Sequence, residues 1–222
     1  HGGVGNSHGG TSIEHREVPF IVSGNNIPTQ IILKDSSLVS NNAFNCLGDE
    51  AELTFDGNNA YMEVPSNTLF DFGDNQDFTV ECRVRTTSSG DVAIIGNKDW
   101  DSGVNPGFVF SFKYPAGPEW KVNIGDGSSR EDIEVGGLIA DNEWHTLSVS
   151  FDRDGMMKMY EDGQFISEAD ISGIGNINSG QGLFIGADIN SSYDFQGSVA
   201  EVRTWNTLLD ANTIADWHCN TL

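Results

Sequence analysis

The sequence predicts an all-β chain folded as a two-sheet antiparallel sandwich of the jelly-roll type, with one short C-terminal helix. Three observations predict it. Short runs of alternating apolar and polar residues recur from residue 47 onward. Asp-Gly pairs punctuate them at Asp56-Gly57, Asp126-Gly127, Asp154-Gly155 and Asp162-Gly163, a favoured hairpin pair because both positions tolerate positive φ. Finally, Ala51-Glu52-Leu53-Thr54-Phe55-Asp56-Gly57 near the front is matched far downstream by the segment from Gly197 to Asn206. The two read as first and last strands that come together.

The elements follow in order. Val18-Pro19-Phe20-Ile21-Val22 is a short apolar strand closed by Ser23-Gly24-Asn25-Asn26. Ile31-Ile32-Leu33 has the composition of a strand, and Ser36 to Asn42 that of a loop. Strand signals then fall at 53–55, 60–64, 78–84, 93–95, 108–112, 120–124, 146–151, 156–160, 164–167, 183–185 and 199–205. The stretch from Leu208 to Trp217 reads as helix, with Asp210 placed to cap it. Many short strands with turns between them suit Greek-key connections.

Acids outnumber bases 33 to 11 in the 222 residues, for a net charge of −22. That argues against nucleic acid and anionic membranes as partners, since both call for a cationic face. No apolar run approaches the ~18 residues of a membrane span. The acidity suits a solvated surface, calcium, or a salty extracellular setting. Of three cysteines, Cys82 shares a strand face with Phe78, Val80 and Val84 and reads as a small buried hydrophobe. Cys46 precedes the first sandwich strand and Cys219 follows the helix. If the ends of the sandwich meet, these two can form a disulfide, which suits an extracellular, periplasmic or cell-surface location. A chain that starts at His1 reads as a fragment or processed product.

The order of several motifs resembles a laminin G-like (LamG, concanavalin A-like) domain. They are Leu53-Thr54-Phe55-Asp56-Gly57, Tyr61-Met62-Glu63-Val64-Pro65, Phe78-Thr79-Val80-Glu81, the segment from Glu143 to Asp152, Met159-Tyr160-Glu161-Asp162-Gly163, and Gly197 to Asn206. Cys82 stands where that family often has a small or aromatic residue, and Ala200 where an acid is common. At the front, His1-Gly2-Gly3, Ser7-His8-Gly9-Gly10 and Glu17 to Gly24 resemble the C-terminal stretch of alkaline phosphatase or type I phosphodiesterase superfamily enzymes. That second resemblance implies that His1 and His8 are remnant ligands of a divalent metal such as zinc in a parent catalytic site. The implied division is a remnant at 1–27, a linker or leading strand at 28–45, and a LamG-like domain at 46–222.

Nucleophilic catalysis has no motif here. Trp144-His145 reads as core packing. Asp132 and Glu134 would share a strand face at the spacing of a glycosidase carboxylate pair, but no aromatic motif surrounds them, and they read as exposed charges. The loop from Gly96 to Gly103 carries Asp99 and Asp101; the loop from Ala187 to Asp194 carries Asp188, Asn190 and Asp194. In LamG-like and pentraxin-like relatives, loops at these two places hold calcium, and these oxygens are of the type that ion takes. A chain this acidic also carries Asp-rich loops without any ion. Trp120, on the alternating Trp120-Val122-Ile124, reads as core. Trp100 in its polar loop is harder to place in a core and offers a stacking face for a sugar, with Lys98, Asn123, Asp126 and Arg130 as polar neighbours.

The sequence thus leads to a non-catalytic module, calcium-assisted, that binds glycan or another surface ligand and is appended to an exported metal-dependent phosphatase or phosphodiesterase. Two alternatives stand beside it: part of a working hydrolase of that superfamily, or an adhesion and self-association module.

Overall fold

The computed structural model describes residues 52–66, 70–100, 103–112 and 119–218, together with the backbone of 32–34. The strand expected at Val18–Val22, the metal ligands His1 and His8, Asp101, and the Cys46–Cys219 pair lie outside the described residues.

Among the described residues, thirteen strands form two antiparallel sheets. They are β1 (Ile32–Lys34), β2 (Leu53–Asp56), β3 (Tyr61–Val64), β4 (Phe78–Arg85), β5 (Ala93–Gly96), β6 (Gly107–Phe112), β7 (Trp120–Gly125), β8 (Arg130–Ile133), β9 (His145–Phe151), β10 (Met156–Glu161), β11 (Gln164–Asp170), β12 (Leu183–Ile185) and β13 (Gln196–Trp205). One sheet runs β1-β3-β12-β5-β6-β7-β8; the other runs β11-β10-β9-β4-β13-β2. The expected meeting of first and last sandwich strands occurs, with Gly197 opposite Phe55 and Val199 opposite Leu53.

The period-2 alternation of side chains sends one face of each sheet inward. Phe78, Val80, Cys82 and Val84 of β4 meet Leu147, Val149 and Phe151 of β9, and Phe108, Phe110, Trp120, Val122 and Ile124 from the other sheet complete the core. Phe78 stacks on Phe72 at 3.9 Å and on Phe151 at 4.2 Å between ring centroids. Trp120 is fully buried, as expected, and its indole N–H reaches Glu161 Oε2 at 2.7 Å.

The turn chemistry is confirmed best at Asp162 (φ 49°) and Gly163 (φ 74°), where both residues are left-handed as a tight hairpin between β10 and β11 needs. Helix α1 (Ala211–Trp217) begins three residues later than the apolar run suggested. Asp210 is its N-cap, accepting the N–H of Thr213 at 2.8 Å. Two readings need correction. Arg130–Ile133 is an edge strand, missed because only Ile133 faces the core. Trp144 and His145 are not core: both are half-buried, Trp144 at the outer side of the six-stranded sheet with Arg85 stacked over its ring at 4.9 Å, and His145 at the end of β9 opposite Val84.

Candidate functional site

The site is built on the outward face of the seven-stranded sheet, where two loops close over the ends of β5 and β12. The first loop leaves β5 at Asn97, whose Oδ1 accepts the N–H of Phe108 at 2.9 Å. Gly107, at φ 117°, lets this happen, because a Cβ there would stand 2.6 Å from Asn97 Oδ1. Lys98 follows and is fully buried. Its Nζ donates to the carbonyls of Asp99 (3.2 Å) and Gly103 (2.8 Å). Burial pushes its pKa down to about 8, Arg130 adds to this, and Asp132 and Asp99 oppose it. Lys98 is therefore an internal staple of its loop and not the ligand-facing cation that the sequence suggested.

The second loop leaves β12 at Gly186. Asp188 organises it: Oδ1 accepts the N–H groups of Asn190 and Ser192, each at 2.9 Å, and Oδ2 accepts that of Trp100 at 3.4 Å. One buried carboxylate thus ties the two loops together. Burial raises its pKa, the three N–H groups pull it back, and the charge of Asp99 raises it again. Asp99 Oδ2 accepts from Asn105 Nδ2 at 3.3 Å. Asp194 Oδ2 accepts the N–H of Asn59 at 2.9 Å, while its Oδ1 is buried with no hydrogen-bond partner among the described residues. Asn190 is exposed. Asp99 lies near enough to Asp188 for its charge to act on it; Asp99, Asp188 and Asp194 do not form a trio with all ligand atoms within 4.8 Å.

Trp100 lies half-buried across this junction, its ring 4.4 Å from that of Tyr193 and 5.0 Å from Lys121 Nζ. Beside it, strand alternation turns Lys121 and Asn123 of β7 outward, away from Trp120, Val122 and Ile124. Asn123 sits opposite Asp132 in the ladder and donates through Nδ2 to Asp132 Oδ1 at 2.5 Å. The other Asp132 oxygen pairs with Arg130 Nε at 2.9 Å, and Lys121 Nζ pairs with Glu134 at 3.9 Å. Asp132 and Glu134 are partnered groups, not the freely exposed charges expected. Asn123 Oδ1 and Ser111 Oγ are buried with no hydrogen-bond partner among the described residues. A shallow, largely open cleft is lined by Arg130, Glu131, Asp132 and Glu134. Asp126 is not part of this group. Its carboxylate accepts the N–H groups of Ser128, Ser129 and Gly175 and caps the turn after β7.

A profile of the concanavalin A-like lectin/glucanases superfamily matches residues 56–215. The chain belongs to this superfamily. No curated protein matches the sequence. Among solved structures, the lectin/glucanase-type sandwich described here is similar to the binding domain of Paraclostridial Mosquitocidal Protein 1, with a TM-score of 0.68, 13% identity, and coverage of 85% of this chain and 47% of that one. It is similar also to the receptor binding domain of botulinum neurotoxin D (TM-score 0.66, 12% identity, 85% and 47% covered). The binding domain of botulinum neurotoxin DC, solved in complex with SialylT, matches with a TM-score of 0.63, 11% identity, and 85% and 46% covered. The chain thus spans about half the length of the solved domains it matches, and the likeness is one of fold.

Elsewhere in this lectin/glucanase-type domain, His145, Glu161 and Asp162 bring ligand-type atoms within 4.8 Å of one another, the one such trio among the described residues. These atoms have protein partners. His145 Nδ1 is 2.8 Å from Asp162 Oδ2 and its Nε2 3.2 Å from Asp141, while Glu161 Oε2 holds Trp120 Nε1 and the N–H of Gly137. No helix in the described residues is long and apolar enough to cross a membrane. Sequence reasoning missed Tyr193, Lys121 and Asp132 as site residues. The alternation of β7 already placed Lys121 beside Asn123, and Tyr193 stands between two of the suspected loop residues.

Proposed function

We propose that this chain is a non-catalytic carbohydrate-recognition module that acts outside the cytoplasm, on a glycan or a glycan-bearing surface. The observation that carries the reading is the juxtaposition of the Trp100–Tyr193 aromatic pair with the Asn123–Asp132–Arg130 triad on one outward face. A sugar presents an apolar C–H face and a rim of hydroxyls. An aromatic ring takes the first, and a carboxylate held by an amide and a guanidinium takes the second through charge-assisted hydrogen bonds.

Calcium assistance is part of the proposal. The buried Asp188, whose carboxylate is disfavoured by burial and by Asp99, and the buried Oδ1 of Asp194 are hard oxygen donors. Asp99 and Asp188 would supply its first oxygens, and Asp194 and Asn190 would join them only as their loop closes on the ion. The ion would supply the positive charge that these groups lack. The resemblance of residues 1–27 supports a parent phosphatase or phosphodiesterase to which the module is attached. Two histidines without a nucleophile do not assemble a two-metal phosphoryl-transfer site.

The test is a glycan array followed by titration of the best binder. Wild type should bind saturably. Trp100→Ala and Asp132→Asn should each weaken binding at least tenfold, about 1.4 kcal/mol, without lowering the melting midpoint by more than a few degrees. Unchanged affinity in both variants would remove this face from recognition. Calcium in hundredfold excess over its dissociation constant should stabilise the protein by about 2.7 kcal/mol, and Asp188→Asn should abolish the gain. A midpoint indifferent to calcium and to chelator would remove the ion.

A further inference from the structure

We infer that the ligand of this face is an uncharged glycan and that acidic glycans are turned away. The inference rests on the recognition reading just given and adds the ligand's charge class.

Three features carry it. Each cation near the aromatic pair is engaged. Arg130 Nε is held by Asp132 at 2.9 Å, Lys121 by Glu134 at 3.9 Å, and Lys98 is buried on two carbonyls. An incoming carboxylate or sulfate would meet Arg130 and Lys121 each beside a protein carboxylate that already offsets its charge, and Lys98 inside its own loop. Next, the four residues lining the cleft are three acids and one base, in a chain whose net charge is −22. The local and global fields therefore both oppose an anion. Lastly, Asn123 is nine-tenths buried and its Oδ1 is an acceptor without a donor. A sugar hydroxyl supplies a donor; an ionised carboxylate or sulfate ester has none. Leaving a buried acceptor unmatched costs more than a hydrogen bond usually contributes, so the chemistry favours the group that both gives and takes a proton.

The experiment uses the full chain and matched pairs of oligosaccharides, each a neutral glycan and the same glycan carrying one sialic acid, uronic acid or sulfate. Affinities are measured at low and high salt. The neutral member should bind at least tenfold more tightly at low salt, and the gap should narrow as salt screens the repulsion. Glu134→Gln, which frees Lys121 from its partner, should raise affinity for the acidic member several-fold relative to the neutral one. Equal or tighter binding of the acidic member by wild type overturns the inference and leaves the recognition reading standing. Binding of neither member at any calcium concentration overturns both.

Discussion

His145 Nδ1 lies 2.8 Å from Asp162 Oδ2, which fastens the first residue of β9 to the hairpin between β10 and β11. Asp162 uses its other oxygen on the N–H of Thr146 at 2.7 Å, and Asp141 holds the far side of the imidazole. The bond to Asp162 raises the His145 pKa to about 9, against burial and with help from Asp141. On Asp162 burial works upward, but the bonds from His145 and Thr146 and the nearby charge of His218 hold it below the usual range. The bond from the Glu143 N–H and that from His145 lower Asp141.

The sign of the pH dependence follows. A raised histidine contributes its full stabilisation below its unfolded value, near 6.5, and loses it as pH rises through about 9. The lowered carboxylates contribute above the ordinary carboxylate range and lose it on acidification. The unfolding free energy should therefore fall between neutral pH and pH 9, on the order of 1–2 kcal/mol after solvent screening, and the melting midpoint with it. His145→Gln should flatten that decline. A wild-type midpoint constant over this interval would show that the pair is not coupled to folding.

Phe78→Ala should be among the costliest core substitutions. Phe78 is fully buried and contacts Phe72, Phe151 and Phe108 across both sheets. Removing the ring should cost about 3–5 kcal/mol, measured by denaturant unfolding with an unchanged slope. A loss below 1 kcal/mol would mean that the neighbouring rings collapse into the gap.

The pair Arg203–Glu81 should behave asymmetrically. Arg203 Nη1 donates to Glu81 Oε1 at 2.7 Å, Ser148 Oγ donates to Oε2 at 2.7 Å, and Glu201 takes the other amino group of Arg203. Arg203→Met leaves Glu81 buried without its cation and should cost about 3–5 kcal/mol. Burial already raises the Glu81 pKa, so the loss should shrink on acidification. Adding Glu81→Met to the same chain should recover most of it. A double variant as unstable as the single one would argue against an orphan charge as the cause.

Cys82 is fully buried and its thiol pKa is raised by burial and by Glu81. It should resist alkylation until the protein unfolds. Unfolding without reductant should then label one thiol of the three, because Cys46 and Cys219 are proposed to be paired. Intact mass distinguishes one label from three, and three would dismiss the disulfide.

Strands whose inward residues are apolar were legible in the sequence. The Phe78–Arg85 run alternates, and β4 forms there. Edge strand β8 was not legible, since Arg130-Glu131-Asp132 carry no apolar face and the strand exists through its ladder to β7. The site was legible in location and less so in roles. Trp100 and the acids flanking it were visible as loop residues out of keeping with a core. That Lys98 would be buried, or Asp126 spent on three N–H groups, depends on which chain segments return to the same place. A Lys or Asp in a polar loop looks the same in sequence whether it meets a ligand or its own backbone. The same applies to Trp144, whose neighbours Arg83 and Arg85 come from β4, about 60 residues earlier.

Strand β13 lies between β4 and β2 in its sheet. During synthesis, β4 and β2 leave the ribosome more than a hundred residues before the strand that must separate them. Until then each presents an open edge able to pair with another chain. Closure is consequently a late, long-range event, of the kind that makes β sandwiches slow folders. The acidity of the chain has a role at that stage, since like charge keeps unfinished copies apart while their edges are open.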